Sequence, residues 1–451
     1  MANSRPRYAP LVGKPLALTI CAAILVLAFS SPSPAARVAV LTYGGLEKTA
    51  IRHVLWPVMD RDGDGSPSGP WGTDCDDGDA QVHPLGSPPT SRYLGCRRVA
   101  VGRVADQVVN RDIARANTGS NRGVVLVVVD TLRKDALEAS DAGFGDFRHF
   151  ENYKSCGSET RHVLAQLLGA EGCPSSRRWG PIAARFRDAG FATAMFSEYG
   201  PDDIRMPQSL RTRVYGGFED MEVVKSPQQV LQKAGVWINE HAAQSKPFFT
   251  FVHLVGGHAP YSAAGATSLQ RYSNQVRNAL LLVGKFARSL PDETSVVVLG
   301  DHGEEFGEHD GYQHAQTLYE EVLATPLLLK GPSVVPGIDA RDLGCADLGA
   351  WLARFTEGTT TLPSPGLPRA ASLDVPAGTI GGLASTYVRA MYLPGGYKII
   401  WRPDVDVWEL YDLTDDPAER RNLASIDSRV FNTSADALLN LQQVCYAQAA
   451  D

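Results

Sequence analysis

Two apolar segments of this sequence each end in a carboxylate. The segment GVVLVVVD ends at Asp130, and TSVVVLGDH reaches Asp301 and His302. Continuous runs of β-branched residues are typical of strands that are buried on both faces of a parallel sheet. Because ligands bind at the carboxyl ends of such strands, Asp130 and Asp301 are expected to meet at one site. Two carboxylates beside an imidazole would bind a divalent cation.

Side chains that could attack an electrophile lie between these two strands. The segment NYKSCGSETRHVLAQLLGA contains four of them: Ser155, Cys156, Ser158 and Thr160. A hydroxyl at the start of a helix is often no more than an N-cap, and that is the structural alternative for Thr160. The residue types alone therefore leave the nucleophile open.

The surrounding sequence predicts the elements that must position these residues. Further apolar runs, FATAMF, PFFTFVHL and TPLLLKG, predict strands, and helical patterns such as RWGPIAARFRDAG and LQRYSNQVRNALLLVGKFARSL lie between them. Strands that alternate with helices indicate an α/β fold with a doubly wound sheet. Near the C-terminus, two aromatic-rich segments flank a Pro-Gly-Gly turn, which predicts antiparallel hairpins, and SADALLNLQQVCYAQAA predicts a final helix.

Four of these segments carry a family resemblance. VVLVVVDTLRKDAL and LGDHGEEFGEH resemble the two metal-binding motifs of the sulfatase branch of the alkaline phosphatase superfamily. FVHLVGGHAPY is similar to that family's substrate-side histidine segment, and YKIIWRPDVDVWELYDLTDDPAERRNLA to the segment that closes many of its domains. The motifs occur in the family's order over residues 122–425. The resemblance implies a mostly parallel sheet flanked by helices, with a small C-terminal antiparallel sheet.

The resemblance also implies a nucleophile and a set of metal ligands. The family's nucleophile begins a helix after the first metal strand, and TRHVLAQLLGA fits that position with Thr160 first. SCGSET is similar to the nucleophile segment of bacterial phosphoethanolamine transferases, whose second threonine also aligns with Thr160. Metal coordination would make this hydroxyl an alkoxide. The implied ligands are Asp130, Thr160, Asp301 and His302, with zinc or manganese favoured and calcium or magnesium as alternatives.

Two histidines are expected on the substrate side of this site. His258 and His314 would bind substrate oxygens, protonate the leaving group or help to hold a second ion, and the alternative for each is an ordinary loop histidine. His253 follows an apolar strand and is expected to be structural. Glu304 and Glu305 are expected to be caps or supporting groups rather than metal ligands.

The sequence departs from the pattern of formylglycine sulfatases. Those enzymes need Cys or Ser, then Pro or Ala two places on and Arg four places on. Cys156 has neither, and Cys173 is followed by Arg177 at the right distance but by Pro174 one place early. Thr131 also stands where a second Asp is common. We therefore expect no formylglycine chemistry.

Other positions bear on the nucleophile and the substrate. Ser158 is the next candidate nucleophile after Thr160. His314 stands where many sulfatases have a lysine, which moves the site away from specialists in sulfate esters. A phosphoryl or phosphoethanolamine transferase of the cell envelope is therefore the closest alternative to a hydrolase.

Residues 59–96 form an acidic segment with a composition of its own. The segment is rich in Asp, Gly, Pro and Ser and has no hydrophobic period, so it cannot form a core by itself. Its candidate calcium ligands are Asp60, Asp62, Asp64, Asp74, Asp76, Asp77 and Asp79. Alternating carboxylates suit Ca²⁺, but Trp71 stands where an EF-hand requires Glu. The segment instead resembles the calcium-type repeats of exported bacterial proteins; a solvated acidic linker is the alternative.

The N-terminus predicts export. A basic start and the apolar run Leu16–Phe29 predict a signal peptide or a membrane anchor over residues 1–36, followed by a tether over 37–58. Either would place the protein in the periplasm, on the membrane or outside the cell. The six cysteines that follow the apolar run would then form disulfides. Proximity in sequence suggests the pairs Cys75–Cys96, Cys156–Cys173 and Cys345–Cys445.

Composition limits the functional classes. Hydrophobic residues make up 44% and charged residues 21% of the chain, as in folded proteins, and the net charge of −7 gives no support for nucleic-acid binding. Residues 122–430 are predicted to be catalytic, with a C-terminal subdomain over 385–430 and a helix over 431–451. We expect an exported, metal-dependent hydrolase of sulfate or phosphate esters that acts on a small molecule or an envelope glycan or lipid. A non-catalytic calcium-binding surface protein is the alternative from another class.

Overall fold

The computed structural model describes residues 123–140, 142–169, 181–206, 208–356, 369–375, 386–403 and 407–449, with short pieces at 59–61, 93–94, 97–98, 363 and 365. The chain divides into two compact units: Met1–Ala100 with Pro376–Thr386 and Arg402–Val407, and the remainder. Of the seven candidate calcium ligands, only Asp60 is among the described residues. The predicted signal segment and the pair Cys75–Cys96 lie outside them.

The first unit contains a short antiparallel pair, β1 (Tyr93–Leu94) with β2 (Arg97–Arg98). The strands of the second unit's main sheet are β3 (Gly123–Val129), β4 (Arg148–Lys154), β5 (Ala192–Ser197), β6 (Asp220–Val223), β7 (Phe248–Leu254), β8 (Thr294–Gly300), β11 (Leu327–Lys330) and β12 (Gly337–Gly344). Between β8 and β11 lies a small pair, β9 (Glu305–Phe306) with β10 (Tyr312–Gln313).

The main sheet has the order β12-β4-β11-β8-β3-β7-β5-β6. All its pairings are parallel except those of β11, which runs antiparallel to both β4 and β8. The five apolar runs that predict strands correspond to β3, β5, β7, β8 and β11. The strands β4, β6 and β12 are not predicted by the sequence, because their polar residues lie toward the two edges of the sheet and break the apolar pattern.

Helices cover both faces of this sheet, which explains why its central strands are apolar throughout. The helices are α1 (Lys134–Glu138), α2 (Thr160–Leu168), α3 (Ile182–Asp188), α4 (Gln208–Tyr215), α5 (Pro227–Ala243), α6 (Ser268–Ser289), α7 (Glu320–Leu323), α8 (Cys345–Phe355) and α9 (Ser428–Ala449). One core contains the buried faces of α2, α3 and α8. The other contains those of α5 and α6. The predicted α/β class with a mostly parallel sheet is confirmed.

The C-terminal part forms the predicted small antiparallel sheet. Its strands are β13 (Ala370–Val375), β14 (Thr386–Tyr392), β15 (Tyr397–Arg402) and β16 (Val407–Asp412), in that order. The turn between β14 and β15 contains Gly395 and Gly396 with φ of 83° and 84°, a conformation that favours glycine. Leu373, Val388 and Ile400 of this sheet share a core with α7. The short helix α7 therefore lies between the C-terminal sheet and the main sheet.

The structure corrects two of the proposed disulfides. Cys156 is bonded to Cys345, at a sequence separation of 189 residues and a Cα–Cα distance of 5.5 Å. The pairs Cys156–Cys173 and Cys345–Cys445 are therefore wrong. Proximity in sequence failed because Cys345 begins α8, which packs against α2 on the same face of the sheet. The bond ties the segment before Thr160 to that helix.

Candidate active site

The sheet brings the predicted carboxylates together. Strands β3 and β8 are parallel neighbours, with Val129 opposite Gly300, so the next residues, Asp130 and Asp301, leave the sheet side by side. His302 follows directly. All three side chains are buried, at 1%, 0% and 0% exposure. One oxygen or nitrogen from each lies within 4.8 Å of the others, an arrangement that could hold a metal ion.

Backbone contacts orient the side chains of Asp301 and His302 in this cluster. Asp301 Oδ1 accepts hydrogen bonds from the backbone N–H groups of Thr131 (3.1 Å) and His302 (2.9 Å), while Oδ2 has no hydrogen-bond partner. His302 Nδ1 lies 3.0 Å from the carbonyl of Gly303, so Nδ1 carries the proton and Nε2 presents its lone pair. Nε2 lies 3.6 Å from Asp130 Oδ1 and 3.5 Å from Asp301 Oδ2.

Thr160 completes this cluster from the other side. Its Oγ1 lies 3.1 Å from His302 Nε2 and 3.5 Å from Asp130 Oδ1, and the residue is 7% exposed. Thr160 is the first residue of α2, whereas the N-cap is Glu159, and no side chain caps the helix. The N-cap role considered for Thr160 is therefore wrong. The hydroxyl points into the carboxylate–histidine cluster instead.

The electrostatics of the cluster fit a cation. Burial raises the pKa of Asp130 well above its usual range, and the carboxylates of Asp301 and Glu304 raise it further. Burial lowers the pKa of His302, so the ring is neutral. An orphaned buried carboxylate oxygen and an imidazole lone pair that face each other repel without a positive charge between them. The donor set of oxygen and nitrogen atoms suits zinc or manganese.

The two histidines predicted on the substrate side, His258 and His314, lie beside the cluster. The His314 ring is 4.6 Å from that of His302 and 5.0 Å from that of His258, measured between ring centroids. His314 Nδ1 lies 2.7 Å from Glu304 Oε1, and His258 Nδ1 lies 2.5 Å from the carbonyl of Ala259. Each contact fixes the proton on Nδ1, so Nε2 of each ring presents its lone pair.

Glu304 is more than a cap. It is fully buried and its two oxygens bind His314 and the hydroxyl of Tyr261, the latter at 2.9 Å. The expectation that it supports the site is consistent with these contacts. Glu305 lies in β9 and is 1% exposed. His253 lies within β7, beside Val128, with both ring nitrogens unpartnered, and burial lowers its pKa to about 4.

Sequence reasoning missed one residue of this site, Tyr199. It follows β5, and its ring centroid lies 6.0 Å from that of His258. Burial, together with the charge of Asp130, raises its pKa to about 12, so the phenol stays protonated at neutral pH. The available signal was that SEYG follows an apolar strand of the same sheet as Asp130 and Asp301, whose carboxyl ends share one edge.

The described residues contain no helix that is long and apolar enough to span a membrane. A search of curated proteins found no significant match. The family model described as Sulfatase matches residues 123–357.

Solved structures show the same fold at low identity. The candidate sulfatase YidJ of Bacteroides fragilis is 17% identical, with a TM-score of 0.57 over 75% of this chain and 99% of that chain. A protein solved with its substrate D-glucosamine-2-N,6-O-disulfate is 12% identical, with a TM-score of 0.55 over 72% and 98%. A phosphonate monoester hydrolase of Agrobacterium radiobacter is 16% identical, with a TM-score of 0.52 over 72% and 96%.

Proposed function

The chain belongs to the sulfatase family, and we propose that it hydrolyses sulfate or phosphate esters with a divalent cation and Thr160 as the nucleophile. The single observation that carries this proposal is the position of Thr160 Oγ1, 3.1 Å from His302 Nε2 beside Asp130. A hydroxyl in a cation-binding cluster at the start of a helix is where a nucleophile would be activated. Membership in the family makes the protein an ester hydrolase of the alkaline phosphatase superfamily.

Each residue of the cluster has a defined part in this proposal. Asp130, Asp301 and His302 would hold the cation, which when bound would lower the pKa of the Thr160 hydroxyl and neutralise charge on the transferring group. Thr160 Oγ1 then bonds to the sulfur or phosphorus atom as the bond to the leaving alcohol breaks. Water later attacks the same atom and releases Thr160.

The histidines and Tyr199 would manage protons and substrate oxygens. With Nδ1 held by Glu304, the imidazolium form of His314 can give its Nε2 proton to the leaving alcohol, and the neutral ring that results can take a proton from the attacking water. His258 faces the same space from the loop after β7. The protonated phenol of Tyr199 can donate to a non-bridging oxygen. His314 stands where many sulfatases have a lysine.

This charge balance supports a preference for monoanionic esters. Three carboxylates raise the pKa of Asp130, those of Asp301, Glu304 and Glu159, although Glu159 is itself paired with Arg161. A divalent cation among them leaves little surplus positive charge for a dianion. We propose that sulfate monoesters, phosphonate monoesters and phosphodiesters are better substrates than phosphate monoesters. Two structural neighbours, a phosphonate monoester hydrolase and a protein bound to a sulfated sugar, support these ester classes and a glycan substrate.

A substrate panel tests the proposal. Purified protein is loaded with Zn²⁺, Mn²⁺, Mg²⁺ or Ca²⁺ and assayed on p-nitrophenyl sulfate, p-nitrophenyl phenylphosphonate, bis-p-nitrophenyl phosphate and p-nitrophenyl phosphate. We expect turnover that depends on the cation, that is lost in Thr160→Ala and that is faster for the monoanions. Added ethanolamine or glycerol distinguishes transfer from hydrolysis by the appearance of an ester of the acceptor. No turnover with any cation would reject the proposal.

Export of the protein and calcium binding by its acidic segment are proposals that rest on sequence features alone. The apolar run Leu16–Phe29 supports a signal peptide or an anchor, and the two aspartate clusters support calcium. Cell fractionation with N-terminal sequencing of the mature protein tests the first. Calcium titration of the full chain and of a variant with Asp74, Asp76, Asp77 and Asp79 changed to Asn tests the second.

A further inference from the structure

The short helix α7 is hydrogen-bonded to every segment that carries the cluster. Its residues and the residue after it accept three backbone hydrogen bonds: Gly303 N to Val322 O at 2.9 Å, Ser155 N to Leu323 O at 2.9 Å, and Lys134 N to Ala324 O at 3.1 Å. Along the chain, Gly303 follows His302, Ser155 precedes Thr160, and Lys134 follows Asp130. A movement of α7 would therefore be transmitted to the metal ligands and the nucleophile together.

The other end of α7 is held by the C-terminal part of the chain. The backbone N–H of Glu320, the first residue of the helix, donates to Glu419 Oε2 at 2.6 Å. Lys398 Nζ, from β15, lies 2.7 Å from Glu419 Oε1 and 3.0 Å from Glu320 Oε1. Lys398 is 0% exposed and Glu419 is 1% exposed. We call Glu320, Lys398 and Glu419 the C-terminal latch.

Further contacts make the latch a closed network. Glu320 is also paired with Lys154 of β4 and accepts the hydroxyl of Tyr392 at 2.5 Å. Burial would raise the pKa of Glu320, but Lys398 and Lys154 lower it to about 2, so the carboxylate is ionised. Burial would lower the pKa of Lys398, but Glu419 and Glu320 raise it. Removing one member of such a buried network leaves an uncompensated buried charge, which is strongly destabilising.

A second contact joins the same C-terminal segment to the loop between His302 and His314. His309 Nδ1 lies 2.5 Å from Glu321 Oε1, and Nε2 lies 3.2 Å from the carbonyl of Glu419. The ring stacks on Tyr319 at 3.8 Å between centroids. Glu419 has a positive φ of 52°, so its backbone is held in an uncommon conformation where its carboxylate and its carbonyl contact two different elements. The C-terminal segment thus supports both α7 and the loop.

We propose that the C-terminal latch positions the metal ligands and Thr160 through α7, so that the C-terminal sheet is a working part of the active site. Lys398 and Glu419 are positioning residues, since their contacts are with α7, with each other, with Tyr392 and with His309 rather than with the cluster. The inference rests on the proposed function for its kinetic consequence, but its consequence for metal binding is independent of substrate. Outer partners of metal ligands typically change metal affinity by about 10–100-fold. Because the latch acts through a backbone turn, we expect the lower end of that range.

The test compares Lys398→Met with a control of matched chemistry. Asp339→Asn removes a carboxylate that is 6% exposed and binds Arg148 and Arg341, at 2.8 and 2.6 Å, at the β12–β4 edge without contacting α7. Zn²⁺ affinity is measured by competition with a chromogenic chelator, at a temperature where circular dichroism shows both variants folded. We expect Lys398→Met to bind Zn²⁺ about tenfold more weakly and to lower kcat more than it raises KM. Asp339→Asn should leave the Zn²⁺ affinity, kcat and KM unchanged.

A milder variant keeps the test decisive if Lys398→Met does not fold. Tyr392→Phe removes only the hydroxyl that donates to Glu320, and about threefold weaker Zn²⁺ binding is expected. Zn²⁺ binding and turnover equal to those of Asp339→Asn would overturn the latch. A wild-type protein that binds Zn²⁺ but hydrolyses no ester would reject the proposed function, while the affinities would still decide the latch.

Discussion

Replacing Thr160 by alanine tests both the mechanism and the reason for this residue's position. The change removes the Oγ1 that lies 3.1 Å from His302 Nε2 and leaves the group of Asp130, Asp301 and His302, whose donor atoms lie within 4.8 Å, in place. We therefore expect the cation to remain bound, more weakly, while the covalent route is lost. Removing a nucleophile from an enzyme of this type lowers kcat by about 10⁴–10⁶-fold.

Turnover, rather than stability, separates a catalytic role of Thr160 from a structural one. Removing a helix cap would cost about 1 kcal/mol and leave turnover intact. Glu159 is the N-cap, however, and the contacts of the Thr160 hydroxyl are with His302 and Asp130. Because these contacts are buried, their loss should also lower the free energy of unfolding by about 1 kcal/mol, so chemical denaturation shows that the variant is folded and the loss of turnover shows the role.

Ser158→Ala is the matched control for this experiment. Ser158 is the other candidate nucleophile, is 0% exposed, and donates to the carbonyl of Thr317 at 2.7 Å. Its loss should cost about 1 kcal/mol of stability and leave kcat within about threefold of wild type. Assays use the ester on which the wild type is fastest, with metal content measured in parallel. Turnover that survives in Thr160→Ala, or that is lost in Ser158→Ala instead, would refute the assignment.

Three further predictions follow from the contacts of the site and its loop. Asp301→Asn should weaken Zn²⁺ binding by at least about 100-fold, measured by competition with a chelator. Because the change removes the repulsion between Asp301 and Asp130, it should also stabilise the metal-free protein against denaturant. A metal-free variant that is less stable than the metal-free wild type would contradict this. Glu304→Gln leaves the Nδ1–H of His314 with a weaker, neutral acceptor, so kcat should fall about tenfold at unchanged metal content, and an unchanged kcat would remove His314 from the mechanism as drawn. Although burial alone would lower the pKa of His309, Glu321 raises it from 6.5 to about 9. The stabilisation from this raised pKa is fully present below pH 6.5 and is lost as the pH rises through about 9. The free energy of unfolding should therefore fall between these pH values in wild type and fall less in His309→Gln. Equal pH dependence in the two proteins would count against the contact.

Several features could be predicted because they depend on local patterns. Strands buried on both faces must be apolar throughout, so β3 and β8 and the carboxylates that end them are visible in the sequence. The start of α2 at Thr160 agrees with what the family resemblance implies. Once both strands are assigned to one parallel sheet, the meeting of Asp130 with Asp301 follows from the common edge of their carboxyl ends.

Other features depend on which distant segments meet, and only the tertiary structure decided them. The partner of Cys156 is Cys345 because α2 and α8 pack on one face of the sheet, which no spacing of cysteines indicates. Tyr199 belongs to the site because β5 lies beside β7, and strand order is a property of the whole sheet. The latch joins Glu320 to residues about 80–100 positions later in the chain. Sequence patterns report whether a side chain is buried; they do not report which side chains are buried together.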